Sequence, residues 1–370
     1  EILRCLVGSE MCIRDRLIIM EKKTTYHEQK DVENILRLRE VLTTLPPFCR
    51  DYFRAIDTTT TTKTRISYAY DIRIFFQFLL DENPAFKDYK MTDFTVDVLD
   101  QIKALDLEEY QEYLKVYQAG DKTETNGERG LKRKISALRS FYAYFYKREM
   151  IETNPTVLID VPKIHDKSII RLDTDEVALL LDYIEHCGDQ LTGQKRVYYE
   201  KTKERDLAIV TLLLGTGIRV SECVGLDIED VDFKNNGIKV TRKGGNEMVV
   251  YFGPEVEKAL KRYIEVRENI IPLEGHEHAL FYSAQRRRIG VQAVENLVKK
   301  YASQITTTKK ITPHKLRSTY GTTLYQETGD IYLVADVLGH KDVNTTKKHY
   351  AAIDDARRRQ AAKAVRLRED

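Results

Sequence analysis

The chain contains no tryptophan, and its five cysteines (Cys5, Cys12, Cys49, Cys187 and Cys223) form no C-x-x-C pair. Scattered thiols of this kind exclude a zinc ribbon or a dense disulfide framework and point to a reducing, cytoplasmic compartment. Long apolar runs are also missing. The longest, Leu207 to Leu214, is interrupted by Thr211 and is far too short to cross a bilayer, so no membrane attachment is expected. Charge of one sign is lacking as well: 60 Lys and Arg against 58 Asp and Glu leave a net charge of +2, and any surface for nucleic acid must therefore be local. G-x-x-x-x-G-K-[ST], G-x-G-x-x-G and H-E-x-x-H are all absent, which removes the simplest support for nucleoside triphosphate, dinucleotide or zinc-protease chemistry. No repeat of solenoid period is present.

What remains is a globular composition, 42% hydrophobic and 32% charged over 370 residues, enough chain for two cores. The first 19 residues, beginning EILRCLVGSEMCIRDR, are too broken by charge for a signal peptide. They resemble translated sequencing adapter, with Met20 the expected natural start. Residues 20–44 carry apolar side chains at Val32, Ile35, Leu36, Leu38, Val41 and Leu42, the spacing of a helix stopped by Pro46-Pro47. The threonine run at 57–64 reads as a loop feeding a helix that starts near Arg65 and ends before Pro84. Two further helices are expected over about 95–118 and 128–151. Nothing in 20–155 alternates as a strand does, so 45–155 is expected to be an all-helical domain.

Residues 154–169 contain two prolines and no helical period and read as a linker, bounded at 156–167. Beyond it, 168–356 mixes structure types. A helix with an N-cap at Asp173 or Thr174 comes first, then a buried helix ended by Gly215 and Gly217. Turn signals at Asn236-Gly237 and Gly244-Gly245 flank the short β-branched runs Ile238–Thr241 and Met248–Phe252, a small antiparallel sheet. Five more helical stretches follow, the last being TTKKHYAAID. Residues 357–370 form a basic tail. The fold class is thus mostly α, with one small sheet in the second domain.

Four stretches of the second domain could carry chemistry. GTGIRVSE holds Arg219 and Glu222; VTRKGGNE holds Lys243 at a hairpin tip; TPHKLRST puts His314 and Arg317 three apart on one helix face; LGHKDVNTTKKHY supplies His340 and Tyr350. Singly each is ordinary: a surface ion-pair partner, a solvated lysine, a helix-capping imidazole, one of 22 tyrosines. Together they are what metal-free phosphoryl transfer to a side chain needs. Arginine forks bond non-bridging phosphate oxygens in pairs and offset the charge of a pentacoordinate phosphorus. A lysine or histidine can protonate a leaving alkoxide. A phenol needs neighbouring cations or a base before it attacks at neutral pH.

In this order, Arg219, Lys243, His314-x-x-Arg317, His340 and Tyr350 resemble the tyrosine recombinase (phage integrase) family, and KERDLAIVTLLLGTGIRVSECVGLD, TRKGG and TPHKLRST are similar to its Xer branch. The resemblance covers nearly all of 45–355. It implies a two-domain DNA clamp made of a helical, SAM-like core-binding domain and a mixed α/β catalytic domain. It implies that Arg219 and Arg317 hold the scissile phosphate and that His340 hydrogen-bonds it. Lys243 would act as general acid to the leaving 5′ oxygen, with His314 an acid/base near the nucleophile. Tyr350 would form a 3′-phosphotyrosine link, and Glu222 would support the site from behind. No cofactor is implied. The pattern departs from the family at one point: the family's tyrosine lies nine residues after the Gly-His histidine, where this chain has His349, and Tyr350 is ten after His340.

Lys132, Arg133, Lys134 and Arg139 on one helix, and Arg286, Arg287 and Arg288 in a second cluster, are the expected phosphate contacts. The implied partners are double-stranded DNA and three further copies of the chain, a homo-tetramer on two sites, with the basic tail docking on a neighbour or binding DNA. The implied activity is site-specific recombination, as a Xer-like resolvase of chromosome dimers or as the integrase of a phage or mobile element. Two rivals are a non-catalytic DNA-binding clamp and a type IB topoisomerase.

Overall fold

A computed structural model describes residues 25–163, 169–242, 245–340, 342–344 and 346. The chain divides into two compact units, residues 1–166 and 167–370. Lys243, His349, Tyr350 and the basic tail lie outside the described residues, as does the segment 1–19.

The first unit is built on α1 (Tyr26–Leu42), α2 (Cys49–Ala55), α3 (Thr62–Glu82), α4 (Val98–Gln101), α5 (Ala104–Tyr113) and α6 (Glu128–Lys147). Thr25 caps α1 through a reciprocal pair with Glu28, and the threonine run supplies Thr61, whose hydroxyl accepts from the Thr64 amide at the start of α3. Helix α3 packs against both α1 and α6. The apolar stripe of α6 (Leu131, Ile135, Leu138, Phe141, Tyr142, Phe145) is fully buried. It meets Phe75 and Phe76 of α3 and Tyr52 of α2 in edge-to-face pairs, including Tyr52–Phe141 at 5.2 Å and Phe76–Phe141 at 6.2 Å. Such pairs add about 0.5–1.5 kcal/mol each beyond the area they bury.

The all-helical expectation for this unit fails in one place. β1 (Val116–Ala119) and β2 (Lys122–Thr125) form an antiparallel hairpin, turned at Gly120 (φ +63°). The pattern expected as one helix over 95–118 is instead α4, a break and α5, ending in this strand. Both strands are short and almost wholly exposed, so no burial alternation marks them in the sequence. The first part of the expected linker packs into the unit: Pro155, Thr156 and Ile159 are buried, and the Arg139 guanidinium donates to the Thr156 and Ile159 carbonyls at 3.1 and 2.6 Å.

The second unit comprises α7 (Thr174–His186), α8 (Gly193–Thr216), α9 (Val220–Gly225), β3 (Val231–Asp232), β4 (Gly237–Thr241), β5 (Glu247–Tyr251), α10 (Pro254–Arg267), α11 (Val291–Ile305), α12 (Pro313–Thr328) and α13 (Ile331–Leu338). Helix α8 runs through the middle, touching α7, α9, α10, α11 and α12, and its residues 205–213 are all buried. A helix apolar on every side belongs in such a core. Gly215 does not end it, contrary to expectation. It lies inside α8, where a β-carbon would meet Val256 of α10, and the helix ends at Gly217 in the left-handed region (φ +63°). The sheet is antiparallel in the order β3-β4-β5, with Gly237 opposite Tyr251 and Thr241 opposite Glu247. Ile238 and Val240 face the core, while Lys239 points out to Glu247 at 2.8 Å. No described helix is long and apolar enough to cross a membrane.

Candidate active site

The site is organised by the C-terminal end of α13. Gly339 adopts the left-handed conformation (φ +60°), its amide donates to the Asp336 carbonyl at 2.8 Å, and the His340 amide donates to Ala335 at 2.9 Å. This double bond pattern is a Schellman closure. It uses the carbonyls of Ala335 and Asp336 and leaves those of Val337, Leu338 and Gly339, at the negative end of the helix dipole, to other donors.

Three arginines from three different elements take them. Arg317 of α12, only 4% exposed, donates through Nη2 to Leu338 and through Nη1 to the Gly217 carbonyl at the end of α8. Arg219, ahead of α9, donates through Nη2 to Gly339 at 3.3 Å. Arg242, at the end of β4, donates through Nη2 to Val337 at 2.7 Å. The ends of two helices and a strand are therefore tied to one short loop, and His340 is the next residue of that loop.

Glu222 supports this arrangement. It is 3% exposed, accepts the Arg219 backbone amide at 2.8 Å and pairs with its Nη1 at 2.7 Å. An Arg219 held at both backbone and side chain keeps one guanidinium orientation, the condition for fork-like recognition of a phosphate. The His340 ring sits 2.7 Å from the Thr346 hydroxyl through Nδ1, and Thr346 is fully buried. That contact engages Nδ1 of the ring. His314 is exposed near the N-terminus of α12, one turn from Arg317, after Pro313 at the first helical position where proline's missing amide costs nothing.

Of the expected catalytic residues, Arg219, Arg317 and His340 are brought to one loop, with Glu222 behind Arg219 and His314 on the helix that carries Arg317. Lys243 directly follows Arg242, while Tyr350 lies four residues beyond Thr346; neither is among the described residues. Arg242 itself was not singled out in the sequence. Nothing in its spacing distinguishes it from any arginine in a hairpin turn. Burial pushes its guanidinium below the usual arginine range and Arg219 adds to that, while Glu222 and Asp336 act the other way.

The expected DNA-contacting cations divide into two groups. Lys132, Arg286 and Arg287 are exposed. Lys134 is turned inward (6% exposed), 3.5 Å from the buried Asp71 carboxylate, which Arg133 also bonds from the surface side. A buried carboxylate of this kind needs its counter-ions, so Lys134 is corrected from a phosphate contact to an interior ion-pair partner. Burial, opposed by Arg133 and then Lys134, still leaves Asp71 above the usual carboxylate range. Arg139 is committed to the carbonyls at 156 and 159. Arg288 is committed to the Val224 and Leu226 carbonyls and to Asp227.

The phage integrase family model matches residues 171–357. Tyrosine recombinase XerS of Lactococcus lactis subsp. cremoris is 31% identical over 350 residues, which cover 88% of this chain and 96% of that protein. Tyrosine recombinase XerC of Caldanaerobacter subterraneus subsp. tengcongensis is 32% identical over 329 residues, covering 85% and 86%. Among solved structures, XerH recombinase bound to its palindromic difH substrate aligns with a TM-score of 0.60 at 21% identity, over 82% of this chain and 80% of that one. The integrase of transposon Tn1549 bound to transposon right-end DNA aligns with a TM-score of 0.61 at 22% identity, over 86% and 99%. At those identities the structural likeness concerns the fold.

Proposed function

Because this chain belongs to the phage integrase family and is a tyrosine-type site-specific DNA recombinase, we propose that its loop at 337–340 is the seat of the scissile phosphate of duplex DNA. The observation that supports this is the convergence of Arg219 and Arg317 on the Leu338 and Gly339 carbonyls, immediately before His340. Arg219 and Arg317 hold the non-bridging oxygens, and His340 hydrogen-bonds one of them. The Tyr350 hydroxyl attacks phosphorus, its oxygen–phosphorus bond forming as the bond to the 5′ oxygen breaks. The phenol proton passes to His314, and the 5′ oxygen takes a proton from Lys243. A 5′ hydroxyl from the partner duplex then reverses these steps. The phosphotyrosine diester conserves the bond, so joining needs no nucleotide.

Exchange between two duplexes requires four strands to be cut and rejoined. With one tyrosine for each cut strand, four protomers are needed, and the chain works as a homo-tetramer on two sites. Lys132, Arg133, Arg286 and Arg287 contribute backbone phosphate contacts, which makes binding fall steeply with salt. The biological role we propose is Xer-like resolution of chromosome dimers, supported by relatives named XerS and XerC along nearly their whole length.

Covalent capture tests the reading. The wild-type chain is incubated with a library of nicked duplexes carrying randomised cores, and trapped protein–DNA adducts are sequenced. The expected result is an adduct on one sequence family that is lost in Tyr350→Phe and maps to a single chromosomal site. An adduct that persists in Tyr350→Phe moves the nucleophile elsewhere. Capture sites at the ends of a mobile element favour the integrase role, and relaxation of supercoiled plasmid without exchange favours a topoisomerase.

A further inference from the structure

The loop at 337–339 is bonded by three guanidinium groups, one more than the phosphate assignment above uses. Arg242 is the third. Its Nη2 is bonded to Val337, but Nε and Nη1 are buried and have no hydrogen-bond partner among the described residues. The group lies where a β-carbon on Gly339 would sit, which places it directly against the turn that precedes His340. Buried donors ordinarily find acceptors, and a buried cation ordinarily finds a counter-charge. Among the described residues Arg242 has one carbonyl acceptor, at Val337, and no ion pair, while Glu222 and Asp336 act on it only at longer range.

Charge points the same way. Arg219, Arg242 and Arg317 contribute three positive charges around this loop, and Glu222, already bonded to Arg219, contributes one negative charge. Asp336, whose charge also reaches Arg242, contributes a second negative charge, which leaves these five groups at +1. A phosphodiester carries one negative charge, and its pentacoordinate phosphorane carries two. An excess of guanidinium charge beside phosphorus interacts more strongly as that negative charge grows, and such a difference is what accelerates a reaction.

We propose that Arg242 is a third phosphate-binding guanidinium of the active site, donating from its unpartnered nitrogens to the scissile phosphate as the negative charge on phosphorus grows. This rests on the function proposed above and adds a residue to it. Gly339 then has a second role besides turning the chain: without a side chain, it leaves room for this guanidinium beside the phosphate.

The test compares Arg242→Gln and Arg242→Lys with wild type in single-turnover cleavage of the captured nicked duplex. One substrate carries a phosphodiester and the other an uncharged methylphosphonate at the scissile position. On the phosphodiester, Arg242→Gln is expected to lose about 100-fold in rate, with duplex affinity and melting temperature little changed. On the methylphosphonate, which has one charge fewer to neutralise, its loss is expected to shrink below about 10-fold. Arg242→Lys keeps the charge and should stand at least 10-fold above Arg242→Gln on the phosphodiester. Equal losses on both substrates, equal losses in the two variants, or no loss at all would each overturn the proposal, leaving Arg242 a strut between β4 and α13. A wild-type chain that traps no duplex at all refutes the proposed function itself, a failure separable from the others because it appears before any variant is made.

Discussion

Glu222 accepts from Arg219 twice, at the backbone amide and at Nη1, from a position almost sealed from solvent. A carboxylate held in this way fixes the guanidinium that it neutralises. Glu222→Gln keeps the shape but turns one acceptor into a donor facing a donor. It is expected to cost about 1–3 kcal/mol of stability and to slow covalent adduct formation by about 10- to 100-fold, with duplex binding largely retained. Denaturant unfolding and single-turnover cleavage measure the two effects. Unchanged cleavage would show that Arg219 does not depend on Glu222 for its orientation.

Two glycines with left-handed backbone allow strain to be separated from crowding. Gly245 (φ +83°) faces open space, whereas a β-carbon on Gly339 (φ +60°) would fall on the Arg242 guanidinium. Gly245→Ala is expected to cost only the conformational penalty, about 1–2 kcal/mol. Gly339→Ala should cost more than that and should also depress cleavage, because the displaced guanidinium is one of the three on the loop. Equal unfolding midpoints for the two variants would argue that the turn has room for a methyl group.

Lys132 and Lys134 are two residues apart on α6 and differ in environment. Lys134→Met strands the Asp71 carboxylate in the core with Arg133 alone, at an expected cost of about 2–4 kcal/mol. Lys132→Ala should leave stability within about 0.5 kcal/mol while lowering the dependence of duplex affinity on salt by about one unit of slope. Thermal melting and binding titrations at several salt concentrations read both. A Lys134→Met chain as stable as wild type would place that ammonium outside the core.

This pair also shows where the sequence was legible. The helix that carries His314 and Arg317 announces itself through Pro313, α7 and α6 through the Asp173 cap and an apolar stripe, and the motif residues Arg219, Arg317 and His340 are recognisable from their neighbours. Charge alone could not tell Lys134 from Lys132, because which lysine faces inward depends on Asp71, 63 residues away in the chain. The hairpin at 116–125 was missed because exposed strands leave no apolar alternation. Gly215 looked like a helix end, yet its role is to let α10 approach α8. Arg242 could be found only once the fold had brought β4 to the end of α13.

Cys223 gives a pH dependence with a definite sign. Burial, assisted by Glu222, pushes its thiol from 9.0 up to about 12. The unfolded chain thus releases this proton near pH 9 while the folded chain keeps it. Between about 9 and 12 the folded state binds more protons, so stability falls as pH rises, by up to about 1.4 kcal/mol per pH unit from this group. Cys223→Ala should flatten the alkaline limb of the stability profile, and identical limbs would refute the assignment. The same burial predicts that Cys223 resists alkylation at pH 8 in the native protein, as peptide mapping can check.

Thr346 is the partner through which the His340 tautomer can be tested. Its hydroxyl lies 2.7 Å from Nδ1. For His340 to donate to a phosphate oxygen from Nε2 while neutral, Nδ1 must be the unprotonated nitrogen, and the hydroxyl must then donate to it. Thr346→Val removes that donor at nearly constant volume and lets the ring take the other tautomer or turn. Thr346→Ser keeps the donor. The valine variant is expected to lose about 10-fold in cleavage rate, with duplex affinity unchanged and the loss smaller at low pH, where the imidazole is protonated on both nitrogens and donates whichever way it faces. The serine variant should stay close to wild type. If valine and serine behave alike, or if the loss from valine does not vary with pH, the hydroxyl only fills space and the orientation of His340 is set by the Gly339 turn.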